Sequence, residues 1–143
     1  PLVSGGRTYP ISLPGHSAFH TSLMADRATR ARAELAESLL WIPPAIPLID
    51  GRGVQHRPLA ADPREIRDYT LGAQITETFD LAAAIRVGLR EYAPDAVWLL
   101  GPGTSIAGAL AMTIIGEGYR GVTSRADFDR LSDDGVPLLV TLG

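Results

Sequence analysis

The chain has 143 residues, 45% of them hydrophobic, and a formal net charge of −3. This length predicts a single compact core, and the charge gives neither a basic surface for nucleic acid nor a cationic face for a membrane. All 13 basic residues are arginines and cysteine is absent, which excludes lysine Schiff bases, P-loop lysines, thiolate nucleophiles, thiolate metal sites and disulfides from this chain. No segment approaches the roughly 20 apolar residues of a membrane helix. We expect a cytoplasmic protein.

The first forty residues are predicted to form a loop, a strand and a long helix. Val3 to Arg7 is interpreted as a loop from the middle of a protein rather than a true beginning. Weak alternation from Tyr9 to Leu13 predicts a short strand, which ends at Pro14-Gly15. A helix of about five turns is predicted from Thr21 until Pro43-Pro44 ends it. Its buried face has apolar residues three and four apart: Met24, Ala28, Ala31, Leu35 and Leu39.

The middle of the chain is predicted to contain an edge strand, a loop and a helix. Ile46 to Ile49 is short and apolar, and contains a proline that suits an edge strand or an extended connector. The loop from there to Ala61 is polar, and we expect it to be exposed. Asp62-Pro63-Arg64-Glu65 combines a capping aspartate, a proline at the first helical position and a glutamate three residues after the cap. This helix is predicted to end at Gly72.

The last part of the chain alternates helices with strands, which favours an α/β fold with parallel strand pairing. A helix from Asp80 to Tyr92, with Leu81, Ile85 and Leu89 on one face, is stopped by Pro94. Further elements are predicted in this order: a buried strand over 97–100, a turn at Gly101-Pro102-Gly103, a helix from 104 or 105 to about 115, a strand near Val122, a helix over 124–131 and a strand over 138–142.

His20 is the strongest candidate for chemistry, because an imidazole can accept and return a proton near neutral pH. Taken alone, it is more typical of a surface or helix-capping histidine. The preceding run Gly15-His16-Ser17-Ala18-Phe19 resembles a nucleophile elbow but fails as one. The elbow needs a small residue two positions after the serine, and Phe19 is bulky.

Other clusters have simpler structural interpretations. Gly101 to Ser105 could hold an anion at a helix N-terminus, but position 106 lacks the third glycine of a dinucleotide fingerprint and no lysine is present, so a tight turn is favoured. Arg27, Arg30 and Arg32 could dock an acidic carrier protein, although the nearby glutamates favour a solvated helix face. The aspartates at 127, 129, 133 and 134 lack the spacing of a metal loop, and no metal is predicted.

Two segments together resemble a known enzyme family. Leu13 to Met24 is similar to the segment that carries the catalytic histidine of malonyl-CoA:acyl-carrier-protein transacylases and polyketide synthase acyltransferases. Gln74, an amphipathic segment and then Ala96 to Gly103 resemble the downstream pattern of that family, in which a strand ends in Gly-Pro-Gly. The resemblance implies an α/β fold in which 1–19 are the end of a ferredoxin-like small subdomain and 20–143 are the C-terminal part of an α/β-hydrolase-like large subdomain.

The resemblance also assigns roles to three residues. It implies that His20 deprotonates a serine, which takes malonyl from malonyl-CoA and passes it to the phosphopantetheine thiol of an acyl carrier protein. The backbone carbonyl of Gln74 would orient that histidine, although an ordinary loop amide is an equally good interpretation. Phe19 would fill the space of an α-methyl group and so favour malonyl by roughly 1–3 kcal/mol, while also being a candidate core aromatic.

The same resemblance implies what this chain would need from elsewhere. Its implied partners are malonyl-CoA as substrate, an acyl carrier protein and a serine-bearing upstream segment of the same domain, with no cofactor. The serine elbow, the oxyanion hole and the arginine for the malonyl carboxylate are missing from the sequence. We therefore expect the chain alone to transfer nothing.

Two alternatives remain open. One is a hydrolase of the same fold that releases acyl groups to water. The other is a non-catalytic module that binds a carrier protein or a second chain. A segment cut from a hydrolase core would leave Leu99, Leu100 and the neighbouring helices uncovered. The run from Gly118 to Phe128 resembles an extension of longer stand-alone members and favours a discrete enzyme over a synthase domain.

Overall fold

The computed structural model describes residues 2–4, 6–9, 15–101, 105–135 and 137–142, and within them the chain is a mixture of helices and short strands. The strands form three two-stranded sheets in these residues. The strands are β1 (Leu2–Ser4), β2 (Arg7–Tyr9), β3 (Leu48–Ile49), β4 (Gln55–His56), β5 (Val97–Leu99) and β6 (Leu139–Thr141). The α-helices are α1 (Ala25–Leu35), α2 (Pro63–Asp68), α3 (Gln74–Thr76), α4 (Leu81–Tyr92), α5 (Ala107–Gly116) and α6 (Arg125–Asp133).

A β-hairpin opens the chain, so the interpretation of Val3 to Arg7 as a loop is wrong. β1 and β2 are antiparallel, with Val3 opposite Thr8 and Ser4 opposite Arg7. The two residues between the strands are both glycines, which are typical of a tight hairpin turn. The predicted strand from Tyr9 to Leu13 lies outside the described residues except for Tyr9, which ends β2.

The predicted five-turn helix is shorter than expected. A single 3₁₀ turn, Ser22–Met24, leads into α1, which ends at Leu35. The Ser38 hydroxyl donates to the Glu34 and Leu35 carbonyls, and the Trp41 indole donates to the Ala36 carbonyl. These side chains satisfy carbonyls at the end of the helix before the prolines are reached. Met24 and Ala28 are buried as predicted, whereas Leu35 and Leu39 are exposed.

The segment after β3 is a second hairpin rather than an exposed loop. β3 pairs antiparallel with β4, placing Leu48 opposite His56 and Ile49 opposite Gln55. Asp50, at the start of the turn, and His56 are both buried. The predicted polar loop up to Ala61 therefore contains a strand and two buried charged or titratable side chains.

The helix that starts at Asp62 does not end at Gly72. Its start is as predicted, because the Asp62 carboxylate accepts a hydrogen bond from the Arg64 amide at 2.8 Å. It then continues without interruption through a π-helical turn, Tyr69–Ala73, into α3. A Cβ at position 72 would lie 1.9 Å from Nη2 of Arg32, so this glycine allows the side chain of Arg32 to cross the helix. The glycine at position 72 is therefore explained by close packing and not by the end of a helix.

The main core lies in the second half of the chain. α4 begins at an Asp80 cap and packs on α5, and β5 pairs parallel with β6, with Val97 opposite Leu139. The buried cluster consists of Leu89, Leu110, Ala111, Ile114, Val122, Phe128 and Leu138. Val122 follows a 3₁₀ turn, Tyr119–Gly121, and the predicted strand there is wrong; the residue is apolar because it is buried in this core.

The α/β class is therefore present in its general form, with one parallel strand pair and two antiparallel pairs among the described residues. No helix in this part of the chain is both long and apolar enough to cross a membrane.

Candidate functional site

The end of the helical segment that begins at Pro63 provides backbone acceptors. The last carbonyls of a helix have no amide of the same helix to bond with. Here the backbone leaves the helix at Glu77, which has an extended conformation (φ −114°, ψ 157°). The Gln74 and Ile75 carbonyls are therefore available to groups outside the helix.

His20 bonds to both of these carbonyls. Its Nδ1 atom lies 2.7 Å from the Gln74 oxygen, and its backbone amide donates to the Ile75 oxygen at 2.9 Å. A carbonyl oxygen can only accept, so the Nδ1 atom carries the proton and Nε2 is left as the acceptor. The structure thus brings together His20 and Gln74, the pair that the resemblance singles out. Their catalytic roles stay predictions.

The backbone of His20 is in an unusual conformation. Its φ of 65° lies in the left-handed region, which non-glycine residues seldom occupy. Such a conformation costs about 1–3 kcal/mol and is found preferentially at functional sites. The side chain is exposed, so a reacting group from another molecule or segment can reach it.

Two phenyl rings flank the imidazole. The centroid of Phe19 lies 6.4 Å from that of His20, and Phe79 lies closer, at 5.5 Å with the planes tilted by 46°. Phe19 is 54% exposed, so the alternative that it is a core aromatic is wrong. Its exposure beside the imidazole is compatible with the predicted contact to an acyl group.

A buried charged cluster lies in the β3–β4 turn. The Asp50 carboxylate accepts from the amides of Arg52 and Val54, at 2.9 and 3.1 Å, and from the guanidinium of Arg52, with a shortest distance of 2.6 Å. His56 Nε2 lies 3.3 Å from the same carboxylate. The Arg52 guanidinium in turn lies 4.6 Å above the ring of Tyr69.

These donors determine the ionisation of Asp50. Burial on its own raises the pKa of the Asp50 carboxyl, but the hydrogen bonds from Arg52, Val54 and His56 outweigh it and hold the pKa below its ordinary value. The carboxylate is thus charged at neutral pH and fixes the turn. Neither Asp50 nor His56 was predicted from the sequence to be buried. The sequence did contain an indication of this hairpin. Asp-Gly-Arg-Gly stands between an apolar run and Val54, which is typical of a hairpin turn.

A groove among the described residues is separate from His20. It has a volume of about 660 Å³ and lies between α1, the β3–β4 turn and the helical segment that follows Asp62. Neither His20 nor the two phenylalanines line it. Its walls carry side chains of both charges, including Arg32, Arg52 and Glu77.

The remaining candidates have structural roles or lie outside the described residues. Arg30 pairs with Glu34 at 3.3 Å on an exposed helix face, and Arg32 crosses Gly72. At the start of α6 the Ser124 hydroxyl accepts from the Asp127 amide, and the Asp127 carboxylate accepts from the Thr123 amide and the Ser124 hydroxyl. No cluster of histidine and carboxylate side chains in the described residues could hold a metal ion. Pro102 and Gly103 of the predicted Gly-Pro-Gly turn, and Thr104 after it, are not among the residues that the structure describes.

Comparison of the chain with known protein families, with curated proteins and with solved structures finds no match. The interpretation of the site therefore depends on the geometry of His20 and its neighbours.

Proposed function

We propose that this chain supplies the catalytic histidine of an acyltransferase that moves malonyl from malonyl-CoA to the phosphopantetheine thiol of an acyl carrier protein. The observation that carries the proposal is the 2.7 Å contact between His20 Nδ1 and the Gln74 carbonyl. It fixes the tautomer that a general base requires, with Nε2 free to accept a proton.

A helix end takes the place of the aspartate found in many histidine-dependent hydrolases. The C-terminus of a helix carries a partial negative charge and interacts favourably with cations. Gln74 and Ile75 are at such an end. When His20 accepts a proton, the imidazolium that forms is therefore held by a carbonyl and a helix dipole. Both attract an imidazolium more weakly than a carboxylate does, but neither requires a charged side chain to be buried.

The proposed reaction has two half-reactions through one serine. His20 Nε2 takes the proton of a serine hydroxyl, the serine oxygen attacks the malonyl thioester, and coenzyme A leaves as the thiol with that proton. The thiol of the carrier protein then loses its proton to His20 and attacks the acyl-serine, and His20 returns that proton to the serine oxygen as it leaves. Phe19, exposed beside His20, would contact the α-carbon of the malonyl group and disfavour a methyl branch.

The serine is proposed to come from an upstream segment, because the 143 residues contain no Gly-x-Ser-x-Gly sequence. In this proposal residues 20–143 belong to an α/β-hydrolase-like subdomain, and residues 1–19 end a ferredoxin-like one. The parallel pair β5–β6 supports the first assignment, since parallel strands occur almost only in larger sheets covered on both faces.

A second candidate is a module that binds a partner chain without catalysis. Trp98 and Leu100, on and beside β5, are 58% and 73% exposed. Leu99 is half-buried, so the strand is only partly uncovered. Exposed apolar groups at a strand edge favour association with another chain. The acyl-transfer assay described next separates the two candidates.

The test is malonyl loading, followed by intact mass under native conditions. The parent chain is purified with any serine-bearing segment that accompanies it and is incubated with malonyl-CoA. We expect His20→Asn to lower the loading rate by about 10²–10⁴-fold, the usual contribution of a general base. Asparagine tolerates a positive φ, so this variant should keep the fold.

His16→Asn is the matched control, because His16 is an exposed histidine in the same loop. It should load like the parent. Adding a carrier protein then distinguishes transfer, which gives malonyl-carrier protein, from hydrolysis, which gives free malonate. Equal loading by His20→Asn and the parent, or no loading with a serine-bearing segment present, contradicts the proposal.

A further inference from the structure

Phe79 contacts both His20 and a glycine of the β3–β4 turn. Its ring centroid lies 5.5 Å from that of His20. A Cβ built on Gly51 would lie 2.1 Å from Cδ2 and 2.5 Å from Cε2 of the same ring. The phenyl ring thus rests directly on the backbone of Gly51, in a space that a side chain at that position would remove.

Hydrogen bonds on both sides fix the position of Gly51. Its amide donates to the Tyr69 hydroxyl at 2.8 Å, and its carbonyl accepts from the Asp80 amide at 2.7 Å. Asp80 is the next residue after Phe79 and caps α4. The backbone next to Phe79 and the surface on which its ring rests are therefore joined directly.

The turn beneath Phe79 is itself closed by the buried carboxylate of Asp50. The Asp50 amide donates to the Val54 carbonyl at 3.0 Å, and the Gly53 amide donates to the Asp50 carbonyl at 2.9 Å. The carboxylate binds Arg52 and His56, as described above. A buried carboxylate with all of these donors holds one conformation of the turn.

One hydrogen bond does not fix an exposed imidazole. The Nδ1 contact with Gln74 leaves the His20 ring free to tilt about the line between the nitrogen and the oxygen, and such a tilt moves Nε2. The ring of Phe79 lies against the imidazole and limits this motion. Aromatic rings at this separation attract one another, which orients the imidazole as well as restraining it.

We propose that Phe79, seated on Gly51 and the Asp50 turn, is a positioning residue that sets the direction of His20 Nε2. Its importance for catalysis rests on the proposed function. The positioning itself is a property of the chain and can be measured without substrate.

The first test measures the His20 imidazole by nuclear magnetic resonance in the 143-residue chain. His20→Asn identifies its signals among those of the three histidines. In Phe79→Leu, which keeps an apolar side chain but removes the ring, we expect loss of the ring-current shift on the His20 carbon-bound protons. We also expect a lower fraction of the Nδ1-protonated tautomer, read from proton–nitrogen correlation spectra. Phe79→Tyr should restore both signals.

The second test changes Gly51, on which the Phe79 ring rests, and leaves the ring itself in place. Gly51→Ala forces the phenyl ring away and should alter the same His20 signals, although it lies outside the His20 loop. Gly108→Ala is the control, since nothing lies within 4 Å of its added Cβ. If Gly51 acts through Phe79, Gly51→Ala should have a smaller effect on His20 in the Phe79→Leu background than in the parent.

Unchanged His20 shifts and tautomer in folded Phe79→Leu overturn the proposal. So do unchanged signals in Gly51→Ala, which covers the case in which Phe79→Leu does not fold. A parent chain that shows these couplings but never loads malonyl when a serine-bearing segment is present would contradict the proposed function and leave the positioning of His20 intact.

Discussion

At the scale of single residues, the conformation of His20 is the least expected property of the chain. Two carbonyls at one helix end bind its amide and its ring, and its φ is positive. Gln74 lies 54 positions away in the sequence. A backbone carbonyl is present at every residue, so no pattern of residue types could have indicated this acceptor. Only the resemblance of the flanking segments pointed to it.

Phe79 and Gly51 could not have been found from the sequence. Phe79 lies between two helices in a polar stretch, where an aromatic residue has many possible contacts. The close approach to Gly51 depends on the hairpin turn and the π-helical segment having their observed positions. The sequence shows a glycine between Asp50 and Arg52, which predicts a turn but not what packs on it.

The ionisation of Asp127 is expected to affect the stability of the chain in acid. Hydrogen bonds from the Ser124 hydroxyl and the Thr123 amide and hydroxyl, with the nearby Arg130, lower the pKa of Asp127 from 3.8 to about 2. Because the folded pKa is depressed, the stabilisation is present above pH 3.8 and is lost as the pH falls towards 2. Asp127→Asn should therefore destabilise the chain at neutral pH and have a diminishing effect in this acid range.

The measurement is urea unfolding of Asp127→Asn and parent at a series of pH values. Asp129→Asn is the control, because Asp129 lies on the same helix and its carboxylate accepts from Arg125 on an exposed face. A difference between parent and Asp127→Asn that stays constant through the acid range would refute the assignment.

At the scale of secondary-structure elements, the end of α4 was predicted correctly from the sequence, whereas the ends of the two preceding predicted helices were not. Asp62 caps its helix as predicted, and Asp80, predicted only as the start of the next long helix, is the cap of α4. The helix capped by Asp62 continues past Gly72, where the glycine makes room for the distant Arg32 side chain. Both hairpins were missed, because two- and three-residue strands show too little alternation to be recognised.

A substitution at Gly72 tests this interpretation of the helix. Alanine is favoured over glycine inside a helix by about 1 kcal/mol. The atom it would meet is the end of the Arg32 side chain, which can move away and gives up only a 3.5 Å hydrogen bond to the Asp68 carbonyl. We expect the two effects to offset one another, so that Gly72→Ala changes the free energy of unfolding by less than about 1 kcal/mol.

Thermal and urea unfolding of Gly72→Ala check this expectation. Gly88→Ala in α4 serves for comparison, because its Cβ would meet only Ile49, at an ordinary 3.6 Å, and should stabilise the chain. A loss of more than about 2 kcal/mol in Gly72→Ala alone would show that the Arg32 crossing cannot relax and contributes substantially to the fold.

At the scale of the whole molecule, the main buried core lies in the second half of the chain, where exposed apolar side chains also occur. β5 pairs with β6, and in the described part of the chain no strand pairs with its other edge. Trp98, Leu100 and Met112 are all more than half exposed in this half. The general α/β class was predictable from the alternation of elements. Whether further strands pair with β5 and β6 was not predictable, because the hydrophobic residues of a strand do not show which other strands lie beside it.

This surface predicts association. We expect the parent chain to self-associate with rising concentration and Leu100→Asp to reduce that association without loss of secondary structure, as measured by analytical ultracentrifugation and circular dichroism. Leu59→Asp is the matched control: Leu59 is fully exposed but lies in the loop after β4. Equal association of both variants and the parent would show that the β5 edge is not the contact.

The helix end beneath His20 has a consequence for how this site can change. Because the acceptor at Gln74 is a main-chain oxygen, any amino acid at that position retains it, and substitution there leaves the histidine oriented. Inserting or deleting one residue between Pro63 and Gln74 would instead rotate the helix end by about 100°, turning the carbonyl away from the ring. The site is thus robust to point mutation at position 74 and fragile to changes in helix length, and the π-helical turn lies in the segment where such a change would act.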